Sequence, residues 1–386
     1  MKNLKFICSL SLLRNRYAVV LSLIMVSICA RGECGGISPS SQGLIQGARW
    51  LDIEGEHINA HGGCVLFHDG KYYWFGEQRP LAPGMGQEGV NCYSSNDLTT
   101  WIPEGLALTV SETPGCDIER GCIIERPKVV YNKNTGKFVM WFHLELKGKG
   151  YGAARYGVAV SDTPVGPFTF LSSGRVNPKQ YPLNLSEGLR NGNDETGVYQ
   201  DWSPEWIEAV TKGLFVNRDF NEGQMSRDMT LFVDDDGKAY HIYSSEENLT
   251  LHIAELSDDY LSHTGKYIRV APAGHNEAPM VMKADGKYWM VTSGCTGWKP
   301  NEARLFMSDS LMGEWEQLPN PCVGPKSEIT FGGQGNFIFM DPVSGKHIAM
   351  FDIWNPECLG DSRHIWLPVT FEKGRPGIHW RQYWSF

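Results

Sequence analysis

One pattern recurs five times along the chain: a turn of small residues, a Gly-Lys pair, then an aromatic or apolar run. The copies are Asp69-Gly70-Lys71-Tyr72-Tyr73-Trp74, Thr135-Gly136-Lys137-Phe138-Val139-Met140, Asp236-Gly237-Lys238-Ala239-Tyr240-His241, Asp285-Gly286-Lys287-Tyr288-Trp289-Met290 and Ser344-Gly345-Lys346-His347-Ile348-Ala349. Each is a hairpin signal, because Gly after a short polar residue accepts the positive φ of a tight β-turn. A short apolar run precedes every copy, as in Cys64-Val65-Leu66-Phe67 and Asn336-Phe337-Ile338-Phe339-Met340. Outer-strand echoes recur too, in Ser95-Asn96-Asp97-Leu98, Ser161-Asp162-Thr163-Pro164, Ser257-Asp258-Asp259-Tyr260 and Ser308-Asp309-Ser310. Hairpins repeating at such intervals are the sequence signature of a β-propeller. Helical periodicity is nearly absent. The expected fold is all-β, a five-bladed β-propeller over 58–386, with an insertion at 172–225 between blades two and three.

Counting back from each turn glycine locates the start of each first strand. His61 lies nine residues before Gly70, Glu125 eleven before Gly136, Asp228 nine before Gly237, Glu277 nine before Gly286 and Gln334 eleven before Gly345. Equivalent positions of innermost strands converge at one end of a propeller axis. The repeat therefore predicts a pocket made of His61, Glu125, Asp228, Glu277 and Gln334. Carboxylates gathered there repel one another and resist desolvation. They cap a wet channel, bind an ion, or do acid–base chemistry.

The balance of charge, formally −9 over 386 residues, and the lack of any basic run argue against a nucleic-acid surface. Residues 1–33 read as an export signal, with Lys2, Lys5, Arg14 and Arg16 before the apolar run 17–26, which is too short for a stable membrane span. A periplasmic or secreted monomer is expected, with a lipid anchor at Cys29 as the minor alternative. Residues 34–57 form a lead-in. Of ten cysteines, Cys64 and Cys92 are expected as buried thiols, Cys116 and Cys122 as a candidate disulfide, and Cys295 with Cys322 as a weaker one. No cysteine or histidine spacing suggests a structural zinc.

The insertion contains a short predicted helix at 205–210 and leads into Asp228, so it is expected over the pocket mouth; the alternative is a surface decoration. Glu246 and Glu247 are expected to be solvated at a blade edge. Asp234, Asp235 and Asp236 precede a turn glycine and fit a hydrated hairpin better than a calcium site.

Two segments in successive blades resemble glycoside hydrolase family 43, a five-bladed propeller family of inverting, exo-acting enzymes. They are Arg227-Asp228-Met229-Thr230-Leu231-Phe232-Val233-Asp234-Asp235-Asp236-Gly237 and Glu277-Ala278-Pro279. The resemblance covers about residues 50–385. The family's usual base aspartate is missing, because blade one reads Ala60-His61-Gly62. The exo-β-1,3-galactanase subgroup shares that gap. It is similar in Ile58-Asn59-Ala60-His61-Gly62-Gly63, Phe75-Gly76-Glu77, Glu125-Arg126-Pro127-Lys128, Ser293-Gly294-Cys295-Thr296-Gly297-Trp298 and Asp361-Ser362-Arg363-His364-Ile365-Trp366-Leu367-Pro368.

The resemblance implies that Glu277 is the general acid and that Asp228 orients it and tunes its pKa. It implies that Gln334 handles the proton of the attacking water through an imidic-acid tautomer, assisted by Glu125. His61, Glu77, Thr296 and Trp298 are the implied substrate-binding residues, with Trp298 stacking on sugar and His61 an alternative base. No cofactor is expected, and a central calcium ion is the one exception the resemblance allows. The implied activity is release of terminal galactose from β-1,3-galactan of arabinogalactan-type glycans. The alternatives are an α-L-arabinofuranosidase or β-xylosidase of the same family, and a carbohydrate-binding propeller without activity.

Overall fold

The computed structural model describes residues 43–82, 85–190 and 199–386. The export segment at 1–33, part of the lead-in, Cys8, Cys29 and Cys34, and the polar run at 191–195 lie outside the described residues.

Among the described residues, four antiparallel sheets of four consecutive strands and one five-stranded sheet follow one another along the chain, beside one two-stranded pair. Blade one is His61–His68, Lys71–Glu77, Gly89–Ser95 and Ile102–Thr109. Blade two is Ile123–Asn132, Lys137–Glu145, Arg155–Ser161 and Thr169–Gly174. Blade three is Met229–Val233, Ala239–Ser245, Thr250–Leu256 and His263–Val270. Blade four is Asn276–Ala284, Lys287–Gly294, Arg304–Ser308 and Glu316–Leu318. Blade five is Gln334–Met340, His347–Ile353, Arg363–Glu372 and Arg375–His379, with Cys322–Val323 added in parallel at its outer edge. The five-bladed propeller read from the repeat is the fold. Each Gly-Lys pair sits at the first hairpin of its blade, and the five turn glycines have φ between 68° and 82°. Around most of them a Cβ would meet open space, so positive φ, and not crowding, calls for glycine there.

Apolar clusters fill the seams between blades. Cys64, Phe75, Val129 and Phe142 pack between blades one and two, and Trp141, Met229 and Tyr243 between two and three. Ile242, Ile253, Val281 and Met290 pack between three and four. A tryptophan group closes the ring between blades five and one, where Trp74 and Trp366 lie 4.7 Å apart with Trp50 and Trp101 around them. Burying each such side chain contributes about 1.5–3 kcal/mol. At the same seam the Gly62 N–H donates to Asp352 at 2.8 Å, and Leu44–Ile45 pairs with Tyr383–Trp384.

The insertion carries helix α1 (Pro204–Thr211) and helix α2 (Leu214–Arg218). Ser203 caps α1 by accepting from the Trp206 N–H, and Pro204 opens it where no N–H is needed. Trp206, Val210, Leu214 and Phe215 pack on Leu249 of blade three. That seating corrects the expectation for Glu246. Its carboxylate is fully buried, accepts from Arg269 at 2.7 Å, and lies 2.8 Å from the His252 ring. Arg269 also donates to the Val210 and Thr211 carbonyls, so the charge is paired under the insertion instead of solvated. Glu247 is likewise paired, with Arg218 and Arg227.

Cys64 and Cys92 are buried thiols as expected, and burial pushes Cys64 up to about 11. Neither candidate disulfide is present: Cys116, Cys122, Cys295 and Cys322 are all free. Asp234 departs from a purely hydrated turn by accepting from Lys283 and Tyr288 of blade four, which hold its carboxyl below the ordinary range despite partial burial.

Candidate active site

The five residues found by counting back do gather at one end of the axis. His61 opens its strand, Glu125 is the third residue of its own, Asp228 precedes Met229, Glu277 is second, and Gln334 opens the first strand of blade five. In blades one, two, four and five the pairing register slips just after this residue. The following residue is left-handed in three of them, with φ of 61° at Gly62, 54° at Arg126 and 51° at Ala278. Such a bulge bends the strand and re-aims its side chains. At Gly62 a Cβ would lie 2.1 Å from Glu77 Oε1, so only glycine fits. At Arg126 the bulged N–H is anchored by Glu77 Oε1 at 2.8 Å, and the guanidinium swings into the pocket.

A second ring of residues faces the same end. Counting seven forward from each turn glycine gives Glu77, His143, Ser244, Ser293 and Asp352. The first ring pairs with it across strands: His61 with Glu77, Glu125 with His143, Glu277 with Ser293, and Gln334 with Asp352. This regular offset is the signal that could have found His143 and Asp352 from sequence.

The pocket is a cavity of about 290 Å³ with two chemically different walls. On one wall Glu277 Oε1 accepts from Asn248 Nδ2 at 2.9 Å, and the Cys295 thiol donates to the Asn248 carbonyl beside it. Gln334 Nε2 donates to Ser293 Oγ at 3.1 Å and lies 3.5 Å from Glu277 Oε2. Burial, with the charge of Asp228 behind it, pushes the Glu277 carboxyl up to about 7 against the opposing pull of Arg126. Glu277 is therefore a carboxylic acid with a transferable proton near neutral pH.

On the other wall every carboxylate has a cation. Arg79 donates to Glu77 Oε2 at 2.6 Å and to Glu125 Oε1 at 2.7 Å. His143 Nδ1 lies 3.1 Å from Glu125 Oε2, and Tyr151 Oη donates to Glu125 Oε1 at 2.8 Å. Burial alone would raise Glu125, but His143 and Arg79 override it and hold the carboxyl well below its usual range. His143 in turn is pushed up to about 9: burial lowers it, and its bonds to Glu125 and Glu145 more than reverse that. Arg126 Nη2 donates to Asp228 Oδ2 at 2.8 Å and to Gln334 Oε1 at 2.7 Å, bridging the two walls. Beneath them, burial lowers Lys128 to about 7, and its ammonium is spent on the Gly62 carbonyl at 2.7 Å.

Trp298 and Trp354 form an aromatic lip, 5.5 Å apart, with Trp298 exposed over 43% of its surface. Glu77, Glu125, Asp228, Glu277, Trp298 and Gln334 thus all line the cavity. His61 and Thr296 do not. The His61 ring is fully buried in the seam with blade five, stacked on His364 at 4.8 Å and 3.6 Å from Asp352. Burial lowers its pKa, and no route leads from it to a sugar hydroxyl. The Thr296 hydroxyl donates to the Lys299 carbonyl and accepts from Asn301, shaping the loop that bears Trp298. Arg79, Arg126, His143, Tyr151, Asn248 and Trp354 were missed as pocket residues. Arg126 stood inside a motif, Glu125-Arg126-Pro127-Lys128, whose bulge is not readable from sequence.

Among the described residues, two groups have donor atoms close enough for a metal ion: His61 with Asp352 and His364, and Glu125 with His143 and Asp228. Neither fits calcium, which takes about six to eight oxygen ligands. In the second group Arg79, Arg126 and His143 already supply the positive charge.

A propeller whose axial pocket sets one protonated carboxyl opposite ion-paired carboxylates, under a tryptophan lip, has the equipment of a glycoside hydrolase. The model of glycosyl hydrolases family 43 matches residues 200–364. A family 43 β-1,3-galactosidase solved with galactodeoxynojirimycin is 61% identical, with 89% of this chain and 100% of that chain covered and a TM-score of 0.87. The exo-β-1,3-galactanase of Phanerochaete chrysosporium, solved with β-1,3-galactotriose, is 30% identical over 89% of this chain and 68% of that one, with a TM-score of 0.72. A β-D-galactofuranosidase of Aspergillus niger is 28% identical over 119 residues, 30% of this chain and about a third (34%) of that protein's length. The chain belongs to glycoside hydrolase family 43.

Proposed function

We propose that this family 43 hydrolase is an exo-acting, inverting β-1,3-galactosidase that removes terminal galactose from β-1,3-galactan of arabinogalactan-type glycans. The observation that carries the reading is the Glu277 carboxyl, poised near 7 among neutral donors while Glu125 across the pocket is held well below the usual carboxylate range. The galactose-directed neighbours named above support the choice of sugar. A cavity of about 290 Å³ sits at the small end of small-molecule sites and suits one terminal ring, as exo action requires.

In this reading Glu277 gives its proton to the leaving glycosidic oxygen as the bond to C1 breaks. A water on the other face, toward Glu125, forms the new C1–O bond and passes its proton to the Glu125 carboxylate. Asp228 keeps that proton on Glu277 until the leaving oxygen needs it. Gln334 Oε1 accepts from both Arg126 and Trp354, at 2.7 and 3.0 Å. An imidic-acid tautomer protonated on that oxygen would give up at least one of those bonds, so Gln334 is assigned the placing of the water, and Glu125 the taking of its proton. The charged-then-apolar N-terminal segment supports a place for this activity outside the cytoplasm.

The test is incubation with β-1,3-galactan while NMR follows the released sugar. Galactose appearing one residue at a time, first as the α-anomer, is the expected result. Release of arabinose or xylose, or galactan binding without release, would refute it.

A further inference from the structure

A second cavity, of about 370 Å³, lies beside the pocket, between the insertion helices and the turn that follows Ser245. Asp201, Trp202, Trp206, Phe215, Arg218 and Glu247 line it. We infer that this cavity is a second carbohydrate subsite, taking another ring of the same substrate; the inference rests on the galactosidase reading above.

Its chemistry is that of a sugar site. Trp202 is 57% exposed, yet its ring is braced against Trp206 at 5.2 Å and His275 at 5.0 Å. The Trp202 backbone is left-handed, at φ 67°, which a bulky residue adopts only when its surroundings impose it. Around this apolar plane stand fixed polar groups. Arg218 Nη1 donates to Glu247 Oε1 at 3.0 Å, its guanidinium lies 4.3 Å from the Phe215 ring, and Asp219 holds its other edge. Arg218 is thus already paired, and Asp201 and Glu247 repel anions. An aromatic face beside carboxylate acceptors suits a neutral polyol with an apolar ring face, not a phosphate or a carboxylate.

Continuity with the pocket says which polyol. Residues Glu246, Glu247 and Asn248 are all left-handed, at φ 51°, 58° and 65°. This strained turn presents Asn248 to Glu277 on one side, while Glu247 lines the second cavity on the other. Arg227, a lining residue of the pocket, donates to Glu247 at 3.2 Å, so the two cavities share a wall. Glu246, buried under Arg269, keeps that wall rigid. A ring bound against Trp202 therefore belongs to the molecule whose terminal galactose meets Glu277. It is either a later unit of the β-1,3 chain or a branch on it.

The experiment compares wild type, Trp202→Ala and Trp202→Phe on β-1,3-galactobiose, linear β-1,3-galactotetraose and a galactobiose carrying a β-1,6-linked branch. Binding of the tetraose and of the branched sugar to Glu277→Gln is followed by calorimetry, with and without Trp202→Ala. Trp202→Ala is expected to lower kcat/KM on one of the two larger substrates on the order of tenfold relative to galactobiose, and to weaken binding of that sugar equally. Trp202→Phe should restore most of both. A loss confined to the tetraose assigns the cavity to the chain, and one confined to the branched sugar assigns it to the branch. Unchanged ratios and unchanged binding, with wild type cleaving galactobiose, overturn the subsite alone. Wild type that neither cleaves nor binds any of the three overturns the activity and the subsite together.

Discussion

Glu277 and Glu125 stand at nearly equivalent places, near the start of the innermost strands of blades four and two, each followed by a left-handed bulge residue. Both are largely buried. Yet Glu277 is held up near 7 and Glu125 well below the usual carboxylate range. Their cross-strand partners differ: Ser293 stands opposite Glu277 and His143 opposite Glu125. Around Glu277 the direct donors are the neutral amides of Asn248 and Gln334; around Glu125 they include Arg79. One scaffold thus makes a proton donor and a fixed anion from the same residue type. Burial raises both pKa values, and a cation in direct contact decides which one stays raised.

The largest effect should come from removing the donor. Glu277→Gln keeps the shape and its bond from Asn248 but has no proton to give, so turnover of a substrate with a poor leaving group should fall about 10²–10⁴-fold. An aryl galactoside with a good leaving group should lose far less. Equal losses on both substrates would remove Glu277 as the acid.

Next is the residue that bridges the walls through Arg126. Gln334→Ala should cost about 10²-fold in kcat, the scale for losing a positioned polar group, with azide restoring part of it as a nucleophile of inverted outcome. Near-full turnover in Gln334→Ala, with azide-responsive loss in Glu125→Ala, would move the water-handling role to Glu125.

His143 tests the anionic wall through stability. Its folded pKa, about 9, lies above the ordinary 6.5, so its protonated form favours the fold. That contribution is complete below about pH 6.5 and is lost as pH rises through about 9. Lys128, lowered from 10.5 to about 7, adds stability with rising pH over much of the same window, so the His143 contribution is read as the Tm difference between wild type and His143→Gln, which should shrink by several degrees across it. A Tm difference that does not change with pH there would place the proton elsewhere.

The smallest effects are shifts of the alkaline limb of the pH–rate profile, which in wild type should report Glu277 near 7. Asp228 raises the Glu277 pKa and Arg126 lowers it. Asp228→Asn should therefore move the limb to lower pH, and Arg126→Met to higher pH. Shifts of the same sign would show that the two act through packing instead of charge.

The propeller was legible because its cause is local. Five Gly-Lys turns need positive φ and flanking apolar runs, and both are written in short stretches of sequence. The same spacing delivered Glu125, Asp228, Glu277 and Gln334 to one end of the axis, since position within a blade fixes position around the ring. Spacing could not say where each side chain turns afterwards. His61 holds the equivalent place in blade one but is drawn into the seam by Asp352 and His364, partners about three hundred residues away in the chain. Arg126 enters the pocket because of a bulge, and Glu246 is buried because a distant helix pair covers it. The protonation states depend on the tertiary structure most of all. Sequence supplied the carboxyls, and only the assembled ring decided which would have a cation within hydrogen-bond reach, because charge interactions depend on distances that only folding sets.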